Sequence, residues 1–509
     1  MAPILCSRCG DAVEGECDPR DELAELDALL ERLKLKRYNL KRKINQLHSP
    51  IVCQLPPDVT STIFDFCLPD FADLADRQLI LRQEGLSVPL SLGSICGYWR
   101  DIAWSTPSLW SSLVVRVRSK HDPRIIAGIA QEWLARSGQL PLSIRILALN
   151  NKNVLALANI INRYSTRWSD LDLSIPSDCY QHFHGIDNHA STLKSIRFHS
   201  VDGAAMSSSF QLICPCLERA TFERFPMNGS NIQWENLTHL TLHFMSTIDS
   251  FLILRKTPRL VFCKVASTSI LRYRRQIIGE PVLTSLRSLH LAISFAEDYL
   301  NNIIAPHLEE LSLPYYGNPS MEVITSFLRR SACSLRSFSM AFPSFPPHFE
   351  KFAKFFRSIS TLSITSITDA NDYTSPEDYG LWNILQLVAK VLSSRSTSHQ
   401  QELFPNLKIL EYTGMLRLPA GNLDDLYSLP PADNAVHGPL YLFKLHLHPI
   451  TRVPKKMMSY FSSLEERGVT VNVMSKSKDI LQSSIDYYRR REESLRRDWA
   501  DNLDPSLFS

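Results

Sequence analysis

The residues with the most obvious chemistry are the cysteines near the N-terminus. Cys6 and Cys9 form a C-x-x-C, and Cys17 follows closely. A structural zinc site takes four ligands, thiolates and imidazoles above all. The next cysteine, Cys53, lies beyond a predicted helix, which leaves His48 to complete a set in principle. A single C-x-x-C without a second pair is a weak metal signal. The expectation is therefore a flexible acidic tail over 1–22 carrying free thiols. His182, His184 and His189 cluster in sequence, but no cysteine or carboxylate spacing completes a ligand set around them. Cys214 and Cys216 flank Pro215 and read as a turn. No G-x-G-x-x-G or G-x-x-x-x-G-K-S/T loop is present to cradle a phosphate, and neither an H-E-x-x-H helix nor a G-x-S-x-G elbow occurs. The chain is expected to be non-catalytic, with no cofactor and no metal.

Composition sets the frame for these residues. The 509 residues are 44% hydrophobic and 21% charged, an ordinary globular balance, long enough for several domains or one extended repeat array. A formal net charge of +3 gives no reason to expect nucleic acid as a partner. The eleven cysteines are odd in number and scattered without framework spacing, which favours free thiols in a reducing compartment, cytoplasmic and/or nuclear. The longest apolar runs, such as 154–161, are too short to cross a bilayer. The segment MAPILCSRCGDAVEGE lacks the basic-then-apolar order of a secretory signal, so neither a membrane span nor export is expected.

The elements that organise the chain begin at residue 51. Leu55-Pro56-Pro57-Asp58 reads as a helix entrance, since proline suits the first helical position and an acidic residue suits the positive end of the dipole. Val59, Ile63, Phe64, Phe66 and Cys67 give that helix a broad apolar face. Leu92, Ile95, Cys96 and Trp99 recur at spacings of three and four and predict a second helical face, with Trp104, Leu109 and Trp110 adding bulk beyond it.

This pairing of a Leu-Pro-led helix with a C-x-x-W-R segment and a closing Leu-Trp resembles the F-box, and more closely the F-box-like domains of fungal proteins. Leu55, Pro56, Ile63, Phe64 and Leu68 match the first-helix signature, and Ile95, Cys96, Trp99, Arg100, Trp104, Leu109 and Trp110 match the second half. Asp58 stands where the family usually has Glu, and residues 70–89 intervene between the halves. The resemblance implies a small helical module over 51–110. Those matched residues would bind the adaptor of an SCF-type (cullin-based) ubiquitin ligase.

Before this module, Leu23, Leu26, Leu30, Leu33, Arg37, Leu40, Ile44 and Leu47 follow alternating steps of three and four. They predict an amphipathic helix or short coiled coil over 23–48. It would serve either self-association through 23–47 or packing against the rest of the chain. Residues 1–25 carry two basic and seven acidic side chains, while 31–43 carry seven basic and one acidic. A solvated charged face accounts for the basic run without nucleic acid.

Beyond Trp110 the pattern changes. Residues 113–117 and 141–146 read as strands, with a helix over 125–136 between them. A short L-x-x-L-x-L pattern then recurs. Its copies are Trp168/Leu171/Leu173, Leu193/Ile196/Phe198, Leu217/Ala220/Phe222, Leu237/Leu240/Leu242 and Leu286/Leu289/Leu291. It continues at Leu308/Leu311/Leu313, Leu335/Phe338/Met340, Ile359/Leu362/Ile364, Leu407/Leu410/Tyr412 and Leu442/Leu445/Leu447. Most first positions fall 20 to 27 residues apart, inside the period of a leucine-rich repeat. Two steps are near double that length and read as two repeats each, the first with a degenerate copy near Leu260. The last step, of 35, accommodates a Pro-rich insertion at 419–439. Val201, Met245, Ser294, Tyr316 and Ile367 stand where the usual asparagine ladder would be.

The fold class expected is an α/β repeat: an N-terminal helix, a small helical F-box module, and an irregular leucine-rich-repeat solenoid over 111–478 with a parallel sheet on its concave face. A capping helix over 479–500, with Leu481, Ile485, Tyr488, Leu495 and Trp499 on one stripe, closes the array. An F-box followed by such repeats resembles the substrate-recruiting subunit of an SCF-type ligase. Its partners would be the adaptor and cullin, with an unknown protein target held on the repeats. The alternative is a protein-interaction scaffold built from the same modules. Arg197, His239, His290 and His446 are candidates for the target-facing surface.

Overall fold

The computed structural model describes residues 4–5, 12–13, 19–48, 54–68, 88–117, 122–151, 154–187, 189–204, 209–225, 227, 230–266, 281–314, 319–342, 349, 355–366, 380–393, 403–415, 440–448, 450, 452–476 and 478–501. Cys6, Cys9, Cys17, Cys53, nearly all of the 70–89 insertion and the Pro-rich segment 419–439 lie outside them. The structure is α/β and built on a large, mostly parallel sheet. It divides into two compact units, one of Met1–Leu171 with Gly185–Thr192 and one of Asp172–His184 with Leu193–Ser509.

The first unit opens with two short antiparallel strands, β1 (Ile4–Leu5) and β2 (Ala12–Val13). The tail therefore carries strand structure that its polar composition did not suggest. Helix α1 (Pro19–His48) starts at a proline, four residues ahead of the first seam leucine. Among the described residues three short helices follow: α2 (Pro57–Asp65), α3 (Val88–Ile95) and α4 (Gly97–Ser105). Strands β3 (Ser112–Val117) and β4 (Leu142–Ala148) pair in parallel and in register, with helix α5 (Pro123–Arg136) as their crossover. Asp122 caps α5 by accepting from the Arg124 amide at 2.8 Å, and Pro123 occupies its first turn. Helix α6 (Val154–Asn162) then leads to β5 (Trp168–Ile175), within which the two units divide.

In the second unit the recurrent apolar triplets become parallel strands. Running outward from β6 (Ser195–Ser200) the order is β8 (Arg219–Glu223), β10 (His239–His243), β11 (Phe262–Ala266), β12 (Ser288–Ala292), β13 (Glu310–Leu313), β14 (Ser337–Phe342), β15 (Thr361–Ser366), β16 (Ile409–Gly414), β17 (Leu442–Leu447) and β18 (Thr470–Ser475). Two short strands, β7 (Phe210–Leu212) and β9 (Ser230–Ile232), pair with each other outside this sheet, and β19 (Lys478–Asp479) adds to its end antiparallel. Alternation buries one side of each strand: Leu240 and Leu242, Leu289 and Leu291, and Leu362 and Ile364 are all at 1% exposure or less. The residues just after the stacked first positions also hold a backbone ladder. The Arg287 carbonyl accepts both the Glu309 and Glu310 amides, and Glu309 accepts both Arg336 and Ser337; the same two-to-one bonding recurs at Lys194, Glu218, Thr238, Val261, Arg336, Ser360 and Lys408. Main-chain groups thus bond to one another at the start of each strand, seven residues ahead of the positions where the asparagine ladder would stand.

The degenerate copy near Leu260 exists, as buried Leu260 followed by Cys263 and Val265 on β11. Three other expectations need correction. The step from Ile359 to Leu407 is a single repeat, because β15 and β16 pair directly; helix Gly380–Ser393 fills part of its length. The final copy is out of register by two residues. Phe443 pairs with Leu410 and Leu445 with Tyr412, so the triplet is Leu440/Phe443/Leu445, and Leu442 is half-buried. Both registers are rich in apolar residues, and only pairing with β16 separates them. At the C-terminus helix Leu481–Asp501 begins two residues late, and Leu481 is the one member of the predicted stripe described as buried; Ile485 and Tyr488 are half-buried.

Candidate functional site

The helices matching the F-box pattern are organised around aromatic rings. Pro56, at φ −59° and ψ 153°, precedes α2, whose first residue is Pro57 and whose first turn holds Asp58. The Thr60 hydroxyl donates to the Pro56 carbonyl at 3.2 Å, fixing the entrance from inside. At the other end the Ser108 hydroxyl donates to the Asp65 carboxylate at 2.6 Å, tying α2 to the 3-10 turn Pro107–Trp110.

The second half differs from the single helical face its spacing predicted. The helix breaks at Cys96, which is extended at φ −156° and ψ 169°, and the Trp99 amide donates to its thiol sulfur at 3.4 Å. Cys96 is therefore the cap of α4. Leu92 and Ile95 belong to α3, and the break turns Trp99 onto Phe64, ring centres 4.9 Å apart. Gly93 carries no signal in the sequence. A Cβ there would lie 2.1 Å from the Trp104 ring, so its absence lets the indole approach the α3 backbone directly.

Packing also runs past residue 110. Trp104 meets Trp110 edge-on at 5.2 Å, and Trp110 meets Trp133 of α5 edge-on at 4.8 Å. The Arg136 guanidinium lies over both Trp104 (5.8 Å) and Trp110 (5.1 Å). The Trp110 indole N–H donates to the Ala103 carbonyl at 2.7 Å, and that of Trp133 to Ser112 at 3.1 Å. Trp133 and Arg136 thus complete a core that the sequence pattern ended at Trp110. Their signal was present in the predicted helix over 125–136, but nothing in one sequence tied it to the module.

The twelve matched residues fall into two groups. Phe64, Leu109 and Trp110 are buried, while Leu55, Leu68, Cys96, Trp99 and Trp104 are half-buried, so these eight build the module. Pro56, Ile63, Ile95 and Arg100 are exposed. Further apolar side chains of these helices are also open to solvent: Val59, Leu90 and, at 86% exposure, Phe66. The broad apolar face predicted for α2 is therefore mostly outward, with Phe64 alone of the five turned into the core. These exposed apolar side chains are the module's candidate contact residues.

The sheet of the second unit presents a polar face between its buried positions. Arg197 pairs with Asp172 at 3.4 Å, His199 with Glu223 at 3.6 Å, and Lys444 with Glu411 at 2.8 Å. His239 is exposed and stacks on Phe262 at 5.8 Å, and His446 is half-buried. His290 contacts Ser288 at 2.9 Å and Glu310 at 3.8 Å; burial holds its imidazole below the ordinary range, Glu310 opposes this and Lys264 adds to it. Among the described residues no group of three or more His, Cys, Asp or Glu is placed to hold a metal ion, the 182–189 histidines included, and no helix is long and apolar enough to cross a membrane.

No family model matches this sequence, and no curated protein does so either. The site's meaning rests on its own geometry.

Proposed function

We propose that this chain is the substrate-recruiting F-box subunit of an SCF-type ubiquitin ligase. The observation that carries the reading is the contrast within one small module, whose aromatic core is closed by Phe64, Trp99, Trp104 and Trp110 while Ile63, Phe66 and Ile95 stay exposed. Those three side chains dock the adaptor, which in turn binds the cullin. The parallel strands of the second unit are read as an irregular leucine-rich-repeat solenoid whose polar, concave face holds the protein target. The chain contributes no nucleophile, acid or base. It raises the effective concentration of a target lysine near a charged ubiquitin carrier, in the cytoplasm or nucleus. The target is then marked for degradation.

Co-purification with the adaptor and cullin tests this. Wild type retains the adaptor, whereas Ile63→Asp combined with Phe66→Asp loses it while circular dichroism stays unchanged, both positions being exposed. Trp99→Ala is unsuitable, because it removes half of the Phe64 contact. A wild-type chain that retains no adaptor overturns the proposal. The remaining reading, a scaffold outside any ligase, is favoured by the 70–89 insertion between the two helical halves.

A further inference from the structure

Helix α1 carries more exposed large apolar side chains than any other element among the described residues. Every residue from Leu23 to Ile44 is exposed, and Leu23, Leu26, Leu29, Leu30, Leu33, Leu35, Tyr38, Leu40 and Ile44 each show between 50% and 62% of their surface. A helix of 30 residues is about 45 Å long, and most of a protein helix's stability comes from packing its amphipathic face. Internal pairs such as Glu31 to Lys34, 2.8 Å apart, add little to that. The face that approaches the rest of the unit is the one opposite the seam: the Arg42 guanidinium lies 3.8 Å from where a Cβ on Gly97 would stand.

The charge distribution selects an occupant for the seam. Residues 21–31 carry five acidic and no basic side chains, and residues 32–43 carry seven basic and no acidic ones. A second copy lying parallel would set acid on acid and base on base. In a parallel pair the flanking contacts are Glu22 with the second copy's Asp27 and Lys36 with its Lys41, both repulsive, and Arg37 would face itself across the seam. A copy lying antiparallel sets acid on base. Leu26 then meets Ile44, Leu30 meets Leu40 and Leu33 meets Arg37 of the second copy, while Asp27 meets Lys41 at both ends. Like-charged contacts remain only near the middle, at Lys34 and Lys36. Sliding either helix by a heptad breaks the match between the halves, so charge fixes the register as well as the direction.

We propose that α1 is a self-association element that joins two copies of this chain as an antiparallel coiled coil. The inference does not rest on the adaptor reading, since none of the seam residues belongs to that site.

Sedimentation velocity on the full chain tests it. The wild type sediments with a concentration-dependent rise toward twice the 58.0 kDa chain mass. Leu30→Asp with Leu33→Asp stays monomeric, and because both positions are exposed the rest of the chain keeps its circular dichroism. Asp27→Lys weakens association by about fivefold to tenfold through two repulsive contacts, and adding Lys41→Asp to it restores the wild-type value. Three outcomes overturn the proposal: a wild type that is monomeric at the highest workable concentration, a dimer that survives Leu30→Asp with Leu33→Asp, or an Asp27→Lys variant that associates more tightly. The last is the signature of a parallel pair, in which a lysine introduced at position 27 would meet Glu22.

Discussion

At the scale of single residues, two glycines make opposite predictions. Ala at Gly93 would put its methyl 2.1 Å from the Trp104 ring, and that ring is held by Trp110 and Arg136 and cannot retreat. Gly93→Ala is expected to cost about 1–3 kcal/mol, as overpacking does. Gly128 lies inside α5 with nothing within 4 Å of a Cβ. Gly128→Ala is expected to stabilise by about 0.5–1 kcal/mol, because alanine loses less backbone freedom in a helix. Urea unfolding of both variants checks the pair, and equal signs would contradict the geometry. Neither effect was legible in the sequence. A glycine's role there depends on which side chain approaches it from elsewhere in the chain.

At the scale of elements, the informative case is β17. The L-x-x-L-x-L pattern fits it at Leu442, but pairing with β16 buries Phe443, Leu445 and Leu447 and leaves Leu442 half-exposed. Leu445→Ala is expected to cost about 2–5 kcal/mol, in line with other buried leucines. Leu442→Ala is expected to cost under about 1 kcal/mol, the usual range away from a core. Comparable losses from the two would restore the register read from sequence. The strands themselves were visible beforehand from apolar alternation, because that alternation is a property of the strand alone. Which of two apolar registers wins is decided by the neighbouring strand. The same holds for α3 and α4. Spacing of three and four joins Leu92 to Trp99, yet the extended Cys96 divides them and Trp99 packs on Phe64 instead.

At the scale of the whole molecule, burial of thiols contributes to behaviour at high pH. Burial pushes the Cys214 and Cys263 thiols up to about 12, and Cys179 and Cys333 to about 11. In the unfolded chain these groups ionise near their ordinary value of 9.0. A folded-state pKa raised above the unfolded one contributes stability that is complete below the unfolded value and is lost as pH rises toward the folded one. The denaturation midpoint is therefore expected to fall as pH climbs above about 9, and Cys263→Ala should flatten that fall. A fall with pH that is equally steep in the Cys263→Ala variant would refute the assignment. Alkylation of the native protein near neutral pH should reach the exposed Cys67 and Cys216 and spare Cys214 and Cys263, which become reactive only on unfolding.

The sequence by itself determined the local structure: the proline-led entrance of α2, the alternation of β6 to β18, the heptad seam of α1 and its division into acidic and basic halves. Each of these is set by residues a few positions apart, through dihedral preference, helical or strand period, and charge. Only the tertiary structure decided which apolar side chains are covered. Phe64 and Phe66 are near neighbours on one short segment, yet one is at 1% exposure and the other at 86%. Periodicity fixes the direction in which a side chain points, but its burial depends on what a distant segment brings to meet it. Trp99 covers Phe64, and among the described residues nothing covers Phe66 to that degree.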